Sequence, residues 1–538
     1  MTREDRSIVG RALIVCSSAI IAAAMLAAAC ANEPTPASHA DRGAGNAAQT
    51  AWDAINALPP CEPSPSHRGK DYQVGGGPKP IASLDKVPWE RLGPGDTVRV
   101  FYRPEPYPGK FSINAHGTAA APVRICGVKG PNGERPIIEG KDATTRSSMS
   151  YGRDSASDTN QARGLIMIVA RGEEYGVTQP EYIQIDGLKL EGAQPANHFT
   201  DKDGKQQTYG DFGACIWIEH GHYVTVADNE ITDCSQAVFS RSQDGDATGR
   251  TMHLRIAGNE FSNNGVAGSN TIHTTYIQSV DVIYEFNHYG TMRDGAAGNA
   301  IKDRSVGAVI RYNRIESGAY AVDLVEAEDY PDYALSDPSY RATFVYGNQI
   351  VKNGPLAVHY GGDHPGSEDH YRKGTLYFYN NTVELRGEGR PGSAPSGAAY
   401  MFRVSTTDET LQVWNNIFVY DNSIEFKALR IRQEVASPHK TGGIVNLGVN
   451  WINQDGMDGD PYHAVPGELN GLPHLIRGTT RPIDANLVPI AGSKVIGAGE
   501  AGPDAARTHP VLFQLDQSFK PVARSAAGAG ADLGAVQH

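Results

Sequence analysis

The phrase Asn, any residue, then an apolar or aromatic residue returns seven times along the middle of the chain. It reads Asn229-Glu230-Ile231, Asn259-Glu260-Phe261, Asn287-His288-Tyr289, Asn313-Arg314-Ile315, Asn348-Gln349-Ile350, Asn381-Thr382-Val383 and Asn416-Ile417-Phe418. Successive Asn residues stand 30, 28, 26, 35, 33 and 35 apart. A near-constant period with variable excess is what stacked coils with loop insertions produce. The stretches ahead of each Asn, such as 223–226, 282–286, 375–379 and 411–414, alternate apolar with other side chains and are rich in β-branched and aromatic types, which is a strand pattern. After the N-terminal leader no comparable stretch carries the apolar spacing of an amphipathic helix. Asn tolerates the left-handed backbone of a tight corner, and stacked Asn side chains can hydrogen-bond along the axis as a ladder. The repeat therefore predicts an all-β, single-domain right-handed parallel β-helix over 66–480, with a tail, 481–538, packed along or capping the last coils.

A solenoid grows lengthwise, so 538 residues can remain one domain. Sixty Gly and 33 Pro suit its many turns, and a net charge of −13 argues against a nucleic-acid binder. Arg3, Arg6 and Arg11 precede an apolar run over 12–29 that ends in small residues before Cys30, the layout of an export signal over 1–29. Ala27-Ala28-Ala29-Cys30 fits a bacterial lipobox loosely, so Cys30 is the candidate lipidation site, with 30–65 as a flexible linker. The expected location is the outer membrane or cell surface. The alternative is ordinary cleavage near Ala29 and a periplasmic or secreted product. Four further cysteines remain, an even count that permits two disulfides in an exported protein. Cys215 and Cys234 lie about one coil apart and are paired on that ground, leaving Cys61 with Cys126; four free buried thiols are the other possibility.

Near the start, Gly95-Asp96-Thr97-Val98, then Gly117-Thr118-Ala119-Ala120-Ala121-Pro122-Val123, then Pro136-Ile137-Ile138-Glu139-Gly140 together resemble the opening of secreted pectate-lyase-like right-handed β-helix proteins. The resemblance spans roughly 70–480 and implies the fold, with lyases, hydrolases, epimerases and inactive binders all known on it. A narrower likeness is to alginate- and dermatan-cleaving β-helix lyases. There a Lys in an Ile-x-x-Lys-Ser strand acts as base, an Arg in the following coil assists, and calcium sits nearby. Ile301-Lys302-Asp303-Arg304-Ser305 matches that Lys loosely, but Val322-Asp323-Leu324-Val325-Glu326 supplies neither the Arg nor the His of the next coil.

Aligning the coils by their strands places His273, Lys302, Asp323, His359 and Arg403 in one outward column. Parallel strands about 4.8 Å apart would bring these acids and bases within reach of one sugar unit. Dense polar segments lie around the column at 298–305, 323–329 and 359–364; the last two lead into insertions, 330–341 and 364–372, the second closing in Tyr371-Arg372-Lys373-Gly374, that could wall a groove. The leading expectation is an extracytoplasmic, monomeric polysaccharide lyase that cleaves a uronic-acid-containing glycan by β-elimination. In it Lys302 or His273 is the base, Arg304 neutralises the carboxylate, and His359 or Tyr360 is the acid. Arg403, Asp363, Tyr371, Arg372 and Lys373 bind substrate, and Asp323, Glu326 and Glu328 could hold calcium. The same apparatus could run C5 epimerisation. A hydrolase using two of Asp303, Asp323, Glu326 and Asp363, or a non-catalytic surface lipoprotein that binds an exopolysaccharide, are the alternatives. Tyr276, Tyr289, Tyr320 and Tyr360 are offered as sugar-stacking rings.

Overall fold

Strand after strand, the described residues build three sheets of 14, 14 and 10 strands, parallel between successive coils save for an antiparallel hairpin, His198–Thr200 with Gln206–Thr208, at one edge. The structure, a computed structural model, describes residues 58–64, 69–151, 159–169, 179–387, 397–431, 443–461, 464–525 and 528–538. The proposed leader, Cys30 and most of the linker lie outside the described residues. The first sheet includes His222–Ala227, Met252–Ala257, Val280–Glu285 and Val306–Arg311, and the second Glu230–Thr232, Glu260–Ser262, His288–Tyr289 and Arg314–Ile315. The third carries the strands that matter for chemistry: Ala214–Ile218, Gln236–Ser240, Thr275–Ile277, Ile301–Asp303, Val322–Leu324, Leu356–Tyr360 and Ala398–Val404. Together these make the parallel β-helix that the repeat predicts.

Pairing in register turns each inward position into a column. In the first sheet Ile185, Val226, Ile256, Tyr284, Ile310, Val345, Phe378 and Val413 stack one above another. In the second, Leu190, Ile231, Phe261, Tyr289, Ile315, Ile350, Val383 and Phe418 do the same. All are buried. The apolar residue of each Asn-x-apolar phrase is thus a core residue, and the repeat is a record of the core.

The Asn residues form the expected ladder, with two differences. Asn450 is an eighth rung, 34 residues beyond Asn416, because Asn450-Trp451-Ile452 repeats the phrase once more. The left-handed residue at the corner is the one before the Asn: Asp228, Gly258, Phe286, Tyr312, Gly347, Asn380 and Asn415 have φ between 50° and 66°. The reversal there leaves the following Asn side chain inside the corner, where it serves its neighbours. Asn313 is representative. Its Oδ1 accepts from the backbone N–H and the Nδ2 of Asn287, both at 3.0 Å, and its own Nδ2 donates to Asn348 Oδ1 and to the Tyr284 carbonyl, also at 3.0 Å.

Both disulfides form as paired, Cys61–Cys126 and Cys215–Cys234, with Cα separations of 5.6 and 5.8 Å. The described residues of the tail pack along the side of the helix. Val511, Phe513 and Leu515 pack on Phe286, Tyr312, Tyr346 and Tyr379, while Ile483, Leu487, Leu533 and Val536 pack on Val351, Ile417, Val419 and Trp451. Replacing Asn313 by Ala would strand the buried Asn287 N–H and Tyr284 carbonyl. At about 1–3 kcal/mol for each unsatisfied group, urea unfolding should show a loss of about 2–6 kcal/mol.

Candidate functional site

On the third sheet the register carries one outward position through Trp217, Phe239, Tyr276, Lys302, Asp323, His359 and Arg403. Four of the five residues expected in the column occupy it. His273 does not, because Tyr276 is the residue that pairs with Lys302. The correct alignment was available in the sequence: Tyr276 stands four residues ahead of Val280, as Lys302 stands four ahead of Val306, and those two valines pair in the first sheet. His273 instead enters from the preceding turn, and its ring lies 5.6 Å from that of Tyr276.

Strand alternation sorts the ionisable triplet: Lys302 and Arg304 point out, and Asp303 points into the core. Lys302 Nζ donates to Asp323 Oδ2 at 2.8 Å and also to Asp363. Arg304 extends alongside. Its Nε donates to the Tyr276 hydroxyl at 2.9 Å, its Nη1 to the Glu326 carbonyl at 2.9 Å, and its Nη2 to Asp363 Oδ1 at 2.9 Å. One carboxylate, Asp363, therefore sits across an ammonium and a guanidinium, with a phenol beside them. Lys302, Arg304 and Asp323 are buried, whereas the Asp363 side chain is 34 % exposed and forms the solvent side of the cluster.

Behind this clamp the polar network continues. Asp323 also accepts from Asn299 Nδ2 at 2.6 Å and bonds His359 Nδ1 at 2.7 Å, and His359 Nε2 meets Ser405 Oγ at 2.9 Å. That connectivity is the one found in a serine hydrolase triad. Here, however, Ser405 Oγ is buried, lies 2.6 Å from the Gly362 carbonyl, and accepts from the Gly362 N–H at 2.9 Å. It ties down the Gly361–Gly362 turn and offers no exposed nucleophile. Asn299 links the two histidine sides, since its backbone N–H donates to His273 Nδ1 at 2.9 Å. That bond leaves the proton of neutral His273 on Nε2. Tyr276, Asn299, Tyr320 and Ser405 were not among the residues assigned acid–base or metal roles from the sequence. Their polar partners belong to other coils, and only Tyr276 had a signal in the spacing.

Several expected roles are overturned by position. Tyr360 pairs with Leu324 and Val404 on the inward register and is buried in the core, so it cannot be the acid. Tyr289 is core for the same reason. Arg372 is buried against Asp303, 2.7 Å apart, and donates to the Val325 and Ser305 carbonyls, so both belong to an internal ion pair that anchors the second insertion and neither meets a ligand. Tyr371 is buried and donates to the His364 carbonyl at 3.3 Å, and Lys373 lies 3.7 Å from Asp408 and 3.8 Å from Asp369 at the rim. Arg403 remains at the surface end of the column. It donates to Tyr320, whose ring stacks on His359 at 5.2 Å, and its Nε has no hydrogen-bond partner among the described residues.

The proposed calcium ligands do not fit a cation. Asp323 is engaged by Lys302, Asn299 and His359. Glu326 is fully buried, accepts the backbone N–H groups of Asp363 and His364 at 2.9 Å each, and lies 3.3 Å from Arg304. Glu328 pairs with Arg304 at 3.1 Å and His364 at 3.1 Å. Their oxygens face donors and positive charge, the reverse of what a hard cation requires. Among the described residues no three His, Cys, Asp or Glu side chains converge as metal ligands.

The protonation states follow from the same contacts. Burial pulls the Lys302 ammonium down, but Asp323 and Asp363 outweigh it and hold it above the ordinary lysine value. It is a fixed cation and not the expected base. Burial pushes the Asp323 and Asp363 carboxyls up, but Lys302, joined by His359 at Asp323 and by Arg304 at Asp363, offsets this, so both stay below the usual carboxylate range. Burial, reinforced by Lys302, takes His273 down to about 3. His359 is also lowered by burial, against the pull of Asp323. Burial raises the Tyr276 phenol, with Arg304 and Lys302 opposing.

The sequence matches no protein-family model, and a comparison with curated proteins finds no match. Solved structures with detectable likeness include an alginate lyase from Paenibacillus sp. str. FPU-7, at 16 % identity over 71 % of this chain and 92 % of that one, with a TM-score of 0.30. The tailspike protein of E. coli bacteriophage HK620 is 11 % identical over 85 % of this chain and 64 % of that one, with a TM-score of 0.38. A lacto-N-biosidase from Eubacterium ramulus is 10 % identical over 76 % and 66 %, with a TM-score of 0.36. At these values the β-helix rests on the strand pairing described above, and the chemistry rests on the site.

Two outcomes test the network. Lys302→Met leaves Asp323 buried without its ammonium partner and should cost about 3–5 kcal/mol, the usual penalty for breaking a buried pair from one side; urea unfolding measures it. His273, folded at about 3, takes up its proton in the unfolded chain near the ordinary value of about 6.5. Between those values the unfolded state binds more protons, so stability falls as pH falls. Thermal melts should shift downward steadily as the buffer is taken from about pH 7 to about pH 4.

Proposed function

We propose that this chain is an extracytoplasmic enzyme that cleaves a uronic-acid-containing polysaccharide by β-elimination. The observation that carries the reading is the clamp: Lys302 and Arg304 together hold a carboxylate, with the Tyr276 hydroxyl 2.9 Å from Arg304 Nε. β-Elimination requires the uronate carboxylate to be neutralised so that the adjacent C5 proton becomes acidic. A sugar carboxylate bridging Lys302 and Arg304 sets its C5 one bond away from that charge and close to the Tyr276 oxygen. Tyr276, as phenolate, removes the C5 proton. The electron pair forms the C4–C5 double bond as the C4–O bond breaks, and the departing oxygen takes a proton from Tyr276 or solvent. Arg304, donating to the Tyr276 oxygen, favours the phenolate that the step needs. Lys302 and His273, the bases expected from the sequence, are replaced in this role, one because it stays charged and the other because its available ring nitrogen carries the proton. The export signal and Cys30 extend the proposal to a monomer held at the outer membrane or cell surface, or released to the periplasm or medium.

A hydrolase reading has one observation in its favour. Asp363 and Glu328 both approach Arg304 Nη2, at 2.9 and 3.1 Å, which holds their oxygens no more than about 6 Å apart, near the roughly 5.5 Å of a retaining pair. Against it, one oxygen of Asp363 faces Lys302 and the other Arg304, which leaves no free lone pair well placed for attack.

The test is a panel of uronate and neutral polysaccharides, with ultraviolet absorbance of the unsaturated uronate and reducing ends read together. Unsaturated product from a uronate polymer is expected, and reducing ends without it would replace elimination by hydrolysis. Tyr276→Phe should remove turnover by at least about 100-fold, the scale of a lost proton-transfer group, while the buried Arg304 Nε left without its acceptor costs only about 1–3 kcal/mol of stability. Because the phenol is raised, wild-type kcat/KM should climb with pH through the alkaline range, following phenolate formation.

A further inference from the structure

Both cations of the clamp already face carboxylates of the protein itself. Lys302 Nζ is shared between Asp323 and Asp363, and Arg304 Nη2 between Asp363 and Glu328. Of these acids, Asp323 lies beneath the clamp, and Asp363 lies across its mouth. A sugar carboxylate cannot reach both cations while Asp363 is there. Two carboxylates competing for the same ammonium and guanidinium would also repel each other at a few ångströms.

The way Asp363 is mounted suggests how this conflict is resolved. Its backbone is pinned on both sides: Glu326 accepts from the N–H groups of Asp363 and His364 at 2.9 Å each, and Ser405 Oγ accepts from the Gly362 N–H at 2.9 Å. Behind it, Gly361 has φ of 129°, a conformation L side chains rarely adopt, and the Tyr371 ring lies where a side chain on Gly362 would be. The segment is therefore braced as backbone, while the Asp363 side chain is one-third exposed at 34 %. A rotation about its Cα–Cβ bond releases both cations into the opening without moving the loop. His364, 50 % exposed and paired with Glu328 at 3.1 Å, stands at the same rim.

We infer that Asp363 is an internal stand-in for the substrate carboxylate: it occupies the Lys302–Arg304 subsite in the free protein and swings out when a carboxylate-bearing sugar enters. The inference rests on the elimination reading for the identity of the sugar, and on the clamp geometry alone for the existence of a carboxylate subsite. Such a residue keeps two buried cations neutralised between encounters. It also acts as a selector, because a neutral sugar gains nothing that would compensate for displacing it, whereas a uronate replaces one charge-assisted pair by another.

The test is by binding, without turnover. By calorimetry, Asp363→Asn should bind free glucuronate at least about tenfold more tightly than wild type, a change of about 1.4 kcal/mol, with glucose bound equally poorly by both. Equal glucuronate affinity in the two proteins overturns the inference. A second variant guards against an Asn that holds the clamp by itself: Asp363→Ala should show a saturable rise in Tm with formate that wild type lacks, and no such rise also overturns it. The two readings fail separately. A protein that passes both titrations yet makes no unsaturated product keeps the carboxylate subsite and loses the elimination chemistry. One that makes product but fails both titrations keeps the chemistry and loses the stand-in.

Discussion

The Asn ladder is the interaction on which the other features depend. A parallel solenoid must turn its chain at every corner and still satisfy the backbone groups buried there. From Asn229 to Asn416 the coils solve this with two adjacent residues, one in the left-handed region and then an Asn whose amide reaches the neighbouring coils. Asn259, Asn287, Asn313 and Asn348 do so with almost the same distances. Because the corner is repeated so closely, the strands that leave it stay in register, and where no insertion intervenes, as with Tyr276 ahead of Val280 and Lys302 ahead of Val306, equal spacing stacks one residue over its counterpart in the next coil.

That register makes a site possible. Strand alternation puts Lys302 and Arg304 on the outer face and sends Asp303 inward, where it meets Arg372. The inward pair is costly to bury and is compensated by several carbonyls and a good geometry. Its effect is to fix the end of the second insertion, which begins at the 361–364 segment lying across the mouth of the clamp. A core ion pair and a surface cluster are thus two faces of one strand.

The cluster itself is an exercise in neutralisation. Two buried cations are surrounded by Asp323, Glu326, Glu328 and Asp363, and each acid except Asp363 and Glu328 is also bound by neutral donors. Asp323 and Glu326 are structural charges that hold the cations in place. Asp363 is the acid with a cation on each oxygen and solvent on its open side. The division separates groups that build the clamp from the group that can leave it.

What the sequence by itself determined was the solenoid, its core and most of the column. The Asn-x-apolar period marks the corner and the residue inside it, and strand alternation then places Lys302, Asp323, His359 and Arg403 on one line, because neighbouring strands in such a stack differ only by one coil. Even the cysteine pairs were readable from spacing. Roles were not. Tyr360 and Arg372 looked like site residues and are core. Lys302 looked like a base and is a held cation. Tyr276 sat in plain view at the wrong register. Such outcomes depend on contacts between residues many tens of positions apart, such as Lys302 with Asp363 or Asp303 with Arg372. Burial and the sign of the nearest charge decide whether an ionisable side chain titrates, and both are properties of the packed coils that no single strand of sequence contains.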